Sequence, residues 1–326
     1  MPDVTLDQIE ELSFNALVKY GAADWVAREV ARAVRRAEQT GNIICGLYYL
    51  ESYCTQLASG RVNGTVEPVI SRPRPGAVLA DAKFGFAQPA FARGFDTACD
   101  AARENGTVSY AVAHSHTCTS LGYFTEQFAE AGLIAIGMTN ASPIVAPPGG
   151  TEKTIGTNPF AMSVPGSDGG VAMHFDFSTS AVALGKITMA KAAGESIPLG
   201  WAVDADGNPT TDPEAALGGA LVSAGGYKGW GLGLMVELLA AGMTGSVNSL
   251  DVGGLKLPDG PPHGLGQFYL VMDPATYSDA FFDRFARVAE AVAAQEGARL
   301  PGAARKEMDV VAVPDALWTG LNALAD

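Results

Sequence analysis

Residues 112–165 read VAHSHTCTSLGYFTEQFAEAGLIAIGMTNASPIVAPPGGTEKTIGTNPFAMSVP. The segment 108–114 has the look of a strand. A helix is predicted over 122–131, where Phe124 and Phe128 stand four apart, and Gly132 ends it. The apolar run 133–139 has the length and character of a buried strand. Further strands are predicted over 160–164 and 171–177. This alternation predicts an α/β (α+β) domain over about residues 75–250. The stretch also holds two of the four histidines, His114 and His116, and turn clusters rich in Pro, Gly and Asn. Irregular segments held on a rigid scaffold are where chemistry concentrates.

Working outward, Thr5 and Gln8 fit a capping box that opens a helix over 5–20. A second helix carries Trp25, Val26, Val30 and Val34 on one side and Arg28, Arg32, Arg35 and Arg36 largely opposite, and Gly41-Asn42 stops it. Residues 43–54 read as helical. Residues 60–92 are rich in Pro and Gly, with a strand-like piece at 76–81. A helix over 91–104 leads into an Asn105-Gly106 turn. The run 225–245 opens on glycines and becomes a helix apolar on nearly every side, which predicts burial. A short strand is expected at 268–272, an amphipathic helix at 278–295, and a last helix at 314–324.

Composition narrows the function. The 326 residues carry a formal net charge of −14, which repels phosphate backbones, so nucleic acid is not an expected partner. An anionic cofactor would need a local basic site. The cysteines Cys45, Cys54, Cys99 and Cys118 show no CxxC spacing and are expected as free thiols in a reducing compartment. The acidic start MPDVTLDQIEEL is not a secretory signal, and no apolar run has the length of a membrane span. A cytoplasmic protein is the expectation.

Each candidate constellation has a functional and a plain reading. The dinucleotide fingerprint GxGxxG is absent around Gly229-Trp230-Gly231-Leu232-Gly233. Lys228, at a glycine-rich helix start, can meet an anion or simply face solvent. His114, His116 and Cys118 alternate and would share one face of a regular strand, which permits zinc, yet no second His/Cys cluster completes a ligand set. His116 is either a proton donor beside a nicotinamide or a hydrogen-bonded structural histidine. Thr157-Asn158-Pro159 is a turn that can bind a carboxylate or nothing, and proline restricts Asn158 away from the α region. The run DFSTS, from Asp176, caps a following segment or holds ribose and phosphate.

Taken together, GLIAIGMTNASPIVAPPGG, IGTNPFAMSVP, DFSTSAVALGKI, GWAVDADGNPTTDP, GGYKGWGLGLMVELLAAGMTG and RLPG resemble the malate/L-lactate dehydrogenase-like family of NAD(P)-dependent oxidoreductases. The resemblance implies a non-Rossmann, sheet-based NAD(P)-binding domain (75–250), a helical, mixed domain from both chain ends (1–74 and 251–326), and a homodimer. It implies cofactor contacts from Thr117, Cys118, Thr119 and Ser120, from Asn140, from Asp176, Phe177, Ser178 and Thr179, and from Lys228. Arg299 and Arg305 would meet an adenosine phosphate, favouring NADPH with NADH as the alternative. Tyr49, Thr157 and Ser142 would border the substrate, and His116 and Thr117 would serve catalysis.

The departures are informative. Where the family carries Ser-His-Gly followed by an arginine, this chain has Ile44, Cys45, Gly46 and Tyr49. The family's main catalytic histidine aligns with Thr117, one place after His116. Ser142 stands at a position that is acidic in some dehydrogenases. Reduction of a ketone generates an alkoxide that needs a proton donor, whereas an iminium ion brings its proton with it. The losses therefore favour a cyclic imine over a 2-oxo acid. The expected reaction is NAD(P)H-dependent reduction of Δ1-pyrroline-2-carboxylate or Δ1-piperideine-2-carboxylate to L-proline or L-pipecolate, an activity of proline metabolism. HSHTCTSL also resembles the HSHHFxAL pattern of that branch. The alternatives are a 2-hydroxy acid dehydrogenase and a cofactor-binding protein without catalysis.

Overall fold

The computed structural model describes Met1–Ala325. The chain opens with β1 (Asp3–Thr5) and three helices, α1 (Leu6–Lys19), α2 (Asp24–Gln39) and α3 (Leu47–Ala58). The capping box forms: Gln8 N donates to Thr5 Oγ1 at 3.3 Å, and Thr5 N donates to Gln8 Oε1 at 2.9 Å. A 3-10 turn, Ile43–Cys45, separates α2 from α3. A Cβ on Gly46 would collide with the Glu38 carboxylate, and the Glu38 carboxylate accepts from Leu47 N at 2.7 Å. The small residue thus lets a buried carboxylate cap α3 beside Cys45.

Next come β2 (Val69–Arg74), β3 (Ala77–Asp81), α4 (Ala87–Asn105), β4 (Thr107–Ser115), α5 (Gly122–Glu130), β5 (Ile134–Thr139), β6 (Phe160–Pro165) and β7 (Val171–Phe177). A small insert follows: α6 (Leu184–Ala193), β8 (Ala202–Val203), β9 (Pro209–Thr210), α7 (Pro213–Gly218) and β10 (Ala220–Leu221). The chain then runs through α8 (Tyr227–Glu237), a π turn (Leu238–Gly242), β11 (Leu265–Met272), α9 (Phe281–Ala293), β12 (Val310–Ala312) and α10 (Asp315–Ala325).

The main sheet has seven strands in the order β2-β3-β4-β11-β5-β6-β7. Only β3 and β4 run parallel, joined across α4. Phe91, Tyr110, Phe124, Phe128 and Tyr269 pack edge and face between this sheet and α4–α5. A second core unites both chain ends: β1 pairs with β12, and Ile9, Leu17, Val26, Tyr53, Val311 and Leu321 share one cluster.

The domain limits read from sequence do not follow this sheet. β11 comes from the segment assigned to the second domain, yet it lies at the centre, and β2 also precedes the expected boundary. β11 is buried along nearly its whole length, so it lacks the period-two pattern that marks a half-exposed strand. The expected burial of the glycine-rich helix also fails in the single chain. Leu232, Leu234, Met235 and Leu238 of α8 and its π turn are exposed, while Gly233 and Val236 face inward. α9, strongly amphipathic, buries none of its residues. Among the described residues, no helix is long and apolar enough to cross a membrane.

One irregularity aims the site. Between Leu265↔Ser115 and Gln267↔Val112 the register shifts by one residue, so β4 carries a bulge at Ala113-His114. His114 adopts φ +50°, with Nδ1 3.0 Å from Asp81 Oδ1 and Nε2 3.1 Å from the Gly245 carbonyl. The regular alternation that would have put His114, His116 and Cys118 on one face is broken here. Among the described residues, no three His, Cys, Asp or Glu side chains group to hold a metal.

Candidate active site

α3 forms one wall. Tyr49 and Tyr53 lie one turn apart with ring centroids 5.0 Å from each other, and Gln56 follows on the same face. Gln56 Nε2 donates to the carbonyls of Leu255 (2.9 Å) and Leu257 (2.7 Å), while its Oε1 makes a short contact with His116 Nε2. With both amide protons of Gln56 committed to carbonyls, its oxygen must accept, so His116 carries its proton on Nε2. His116 is 2% exposed, boxed by Tyr53, Phe86 and the stacked ring of His263. Burial holds its basicity well below the usual imidazole range, with the neighbouring His263 adding to the effect.

His263 accepts from Thr117 N at 3.2 Å through Nδ1. Its own proton therefore sits on Nε2. Burial pushes its pKa down to about 3. His116 Nδ1 and His263 Nε2 are both buried without a hydrogen-bond partner among the described residues. Neither imidazole is a ready source of protons at neutral pH.

The loop after β4 carries Thr117–Ser120 over α3. Thr119 takes φ +60°. That backbone region is unusual for a β-branched residue. The Thr119 hydroxyl accepts from Tyr53 Oη at 3.3 Å. The Tyr49 hydroxyl donates to Leu255 O at 3.2 Å. Burial pushes the Cys45 thiol up to about 12, with the Asp176 carboxylate raising it further. The thiol of Cys118 and the hydroxyl of Tyr49 are likewise raised by burial. Asp176, at the end of β7, accepts from Gly122 N at 2.7 Å, so it caps the start of α5. Burial still lifts its carboxyl to about 6. It is the ionisable group of this cluster nearest to neutrality.

Beside this cluster opens a cleft of about 710 Å3, lined by the end of α2, the start of α5, β7 and residues 299–305. The size suits a large ligand. Arg36, Arg299 and Arg305 all reach it. Arg36 is 2.9 Å from the buried Glu126 carboxylate and 2.7 Å from Glu307, and Arg305 also contacts Glu126. Arg299 has no such partner among the described residues, which leaves a free guanidinium for a phosphate.

The structure therefore gathers Tyr49, Thr117, Cys118, Thr119, Ser120 and Asp176 with Cys45, and puts Arg299 and Arg305 on the cleft. Other expected contacts have structural commitments. Asn140 donates to Val247 O (2.8 Å) and accepts from Gly266 N (3.1 Å), joining two loops. Thr179 Oγ1 bonds the carbonyls of Thr157 (3.0 Å) and Asn158 (3.2 Å). Asn158 itself takes φ +37°, a left-handed value outside the right-handed α region that the following proline disfavours. Its side chain donates to Gly233 O (3.0 Å) and to the Glu237 carboxylate (2.8 Å). These bonds offset the backbone strain. Phe177 and Lys228 are exposed, Ser178 accepts from Ser180 Oγ at 3.0 Å, and Ser142 and Thr157 are half-buried. Backbone bonds Ala224 N–Thr179 O and Ala181 N–Val222 O bring the approach to Lys228 beside Asp176–Thr179.

Sequence reasoning missed His263, Gln56 and Glu126. His263 sits in the Pro/Gly-rich stretch PDGPPHGLG, a loop signal that carries no distance information. Glu126 and Gln56 lie on helices whose apolar periodicity hides them.

Residues 4–321 match the malate/L-lactate dehydrogenase family. The chain belongs to that family of oxidoreductases. It is 39% identical to a (2R)-3-sulfolactate dehydrogenase (NADP(+)) of Chromohalobacter salexigens, over 99% of this chain and 98% of the relative. It is 38% identical to a Δ1-pyrroline-2-carboxylate reductase of Ancylobacter novellus, over 98% of this chain and 97% of the relative. The solved structure of Δ1-piperideine-2-carboxylate reductase from Pseudomonas syringae pv. tomato superimposes with a TM-score of 0.91 at 33% identity, covering 99% of this chain and 100% of the other.

Proposed function

We propose that this oxidoreductase reduces a five- or six-membered cyclic imine bearing a 2-carboxylate, with NADPH as donor. One observation carries the reading: the histidine of the site, His116, is sealed behind Tyr53 and Phe86 with its proton given to Gln56. The pocket that remains presents a thiol, two hydroxyls and the Asp176 carboxyl. Such a pocket protonates an alkoxide poorly, whereas a C=N that is already protonated needs no donor.

The cofactor, when bound, supplies the hydride. Arg299 would meet its phosphate in the 710 Å3 cleft, and Ser120 and the start of α5 would line its path. Thr117 and Tyr49 hold hydroxyls at the reacting end, where orientation contributes most of the acceleration. The Asp176 carboxylate, near Cys45 and Cys118, favours the protonated iminium over the neutral imine. The exposed apolar side of α8 and its π turn fits a second copy of the chain, so the working unit is a homodimer.

The 39% identity to a sulfolactate dehydrogenase favours a second reading, a 2-hydroxy acid dehydrogenase. Asp176, lifted to about 6, would then act as the proton donor. NADPH oxidation at neutral pH separates the two. Turnover of Δ1-pyrroline-2-carboxylate with pyruvate, oxaloacetate and sulfopyruvate inert supports the imine reaction. Faster reduction of the keto acids sinks it. NADPH binding with no turnover of any of them marks a non-catalytic binder.

A further inference from the structure

We propose that Lys256 is the cation that anchors the substrate carboxylate, an inference that rests on the 2-carboxylate substrate class proposed above. The substrate is an anion, and the pocket around Cys45, Tyr49 and Thr117 is otherwise built of neutral groups and Asp176. Two cations act on this cluster: Lys256 on the Cys45 thiol and Arg61 on the Tyr49 hydroxyl.

Arg61 is already committed. Its Nε donates to Pro261 O at 3.0 Å, and Nη1 donates to Gly254 O at 3.0 Å and Leu257 O at 2.6 Å. Among the described residues, Lys256 has no such commitment. Its Nζ rests 5.0 Å from the centroid of the Tyr49 ring. That separation lies within cation–π range. Among the described residues, Lys191 with Glu214 forms the only lysine ion pair.

The loop that presents Lys256 is held in place from beneath. Tyr49 Oη donates to Leu255 O at 3.2 Å, Gln56 Nε2 donates to Leu255 O and Leu257 O, and Ser59 Oγ donates to Pro258 O at 2.7 Å. Arg61 adds its three bonds. Both carbonyls flanking Lys256 are therefore fixed to α3 and the turn that follows it. Little further ordering is needed when an anion arrives, so a single ammonium can contribute most of its interaction energy to binding. The same Gln56 accepts the proton of His116. This gives the buried histidine a positioning role: it orients the amide that clamps the Lys256 loop.

The test titrates the cofactor-saturated enzyme with pyrrole-2-carboxylate, a planar and non-reducible probe, and with pyrrole-2-carboxamide. Wild type should prefer the carboxylate. Lys256→Ala should weaken carboxylate binding at least tenfold, leave carboxamide binding and the KM for NADPH unchanged, and be largely rescued in Lys256→Arg. Equal carboxylate affinity in wild type and Lys256→Ala overturns the assignment. An equal fall for both probes also overturns it, because that marks a collapsed loop. If wild type prefers the carboxylate probe but turns over keto acids and not the imine, the imine reading fails and the anchor stands, since both substrate classes carry the carboxylate.

Discussion

The imidazole rings of His116 and His263 stack with centroids 4.0 Å apart and 20° between planes, and burial holds both in the neutral form. An unfolded chain would protonate both near the ordinary value of 6.5, whereas folded His263 resists until about 3. Above pH 6.5 the pair contributes its full stability. As pH falls from 6.5 towards 3 the unfolded state binds more protons, so stability drops. The double variant His116→Gln, His263→Gln cannot titrate there. Its thermal midpoint should lose less than that of wild type between pH 7 and pH 4, as read by circular dichroism. Parallel curves would show that the stack does not govern the acid limb.

Asp176 should set an opposite trend. Its carboxyl is lifted by burial from 3.8 to about 6, so the folded state keeps a proton that the unfolded state has released. Its contribution to stability is complete below pH 3.8 and is lost as pH rises through 6. Asp176→Asn keeps an acceptor for Gly122 N and removes the titration. The variant should gain stability relative to wild type between pH 4 and pH 7 in urea titrations. In catalysis the carboxylate form is the useful one on the imine reading. Wild-type kcat/KM should therefore rise through about pH 6, and Asp176→Asn should flatten that limb. A wild-type rate that falls through pH 6 would instead mark Asp176 as a proton donor.

Most helices and β4 are legible in the sequence because each buries one face and so carries a period, while β5, buried on both faces, is legible as a short apolar run after Gly132. The site is legible only where a loop has distinctive chemistry, as in Thr117–Ser120 and Asp176. β11 reads too short and in the wrong domain, because a central strand covered on both faces has no alternation. The fate of His116 is unreadable because Gln56, 60 residues away in the chain, takes its proton. Asn140 and Thr179 look like ligands by residue type, yet their side chains bond backbone groups that only the fold brings near. The bulge at His114 hides in what reads as an unbroken strand.

Arg299 should control cofactor choice. It shares the cleft with Arg36 and Arg305, but those two are neutralised by Glu126 and Glu307, so among the described residues its guanidinium is the one left free for a ribose phosphate. Arg299→Ala should raise the KM for NADPH about tenfold, roughly 1.4 kcal/mol, and leave that for NADH almost unchanged. Steady-state kinetics with both cofactors give the comparison. An equal effect on both would place Arg299 away from the distinguishing phosphate.

Glu126 should matter for stability beyond what one side chain suggests. Its carboxylate is buried between Arg36 and Arg305, with His174 Nε2 at 3.4 Å. Removing one member of a buried charge cluster leaves the others uncompensated. Glu126→Ala should cost about 3 kcal/mol in urea unfolding. A loss under about 1 kcal/mol would mean that water screens the arginines through the open cleft.

The apolar surface of α8 gives the last prediction. Leu234, Met235 and Leu238 face solvent in the single chain, although the sequence around them has the hydrophobicity of a core helix. α9 adds exposed Val288, while Phe281, Phe282 and Phe285 beside it are half-buried. Monomers rarely leave apolar helix faces of this size to water. A self-complementary interface formed by a second copy would cover them. Leu234→Glu with Leu238→Glu introduces like charges that meet across a two-fold interface. Light scattering should show wild type at twice the chain mass and the variant at the chain mass, with circular dichroism unchanged. Because α8 begins beside Lys228, close to Thr179, the monomeric variant should also bind NADPH more weakly. A wild type that runs as a monomer would refute the assembly and leave these helices to another partner.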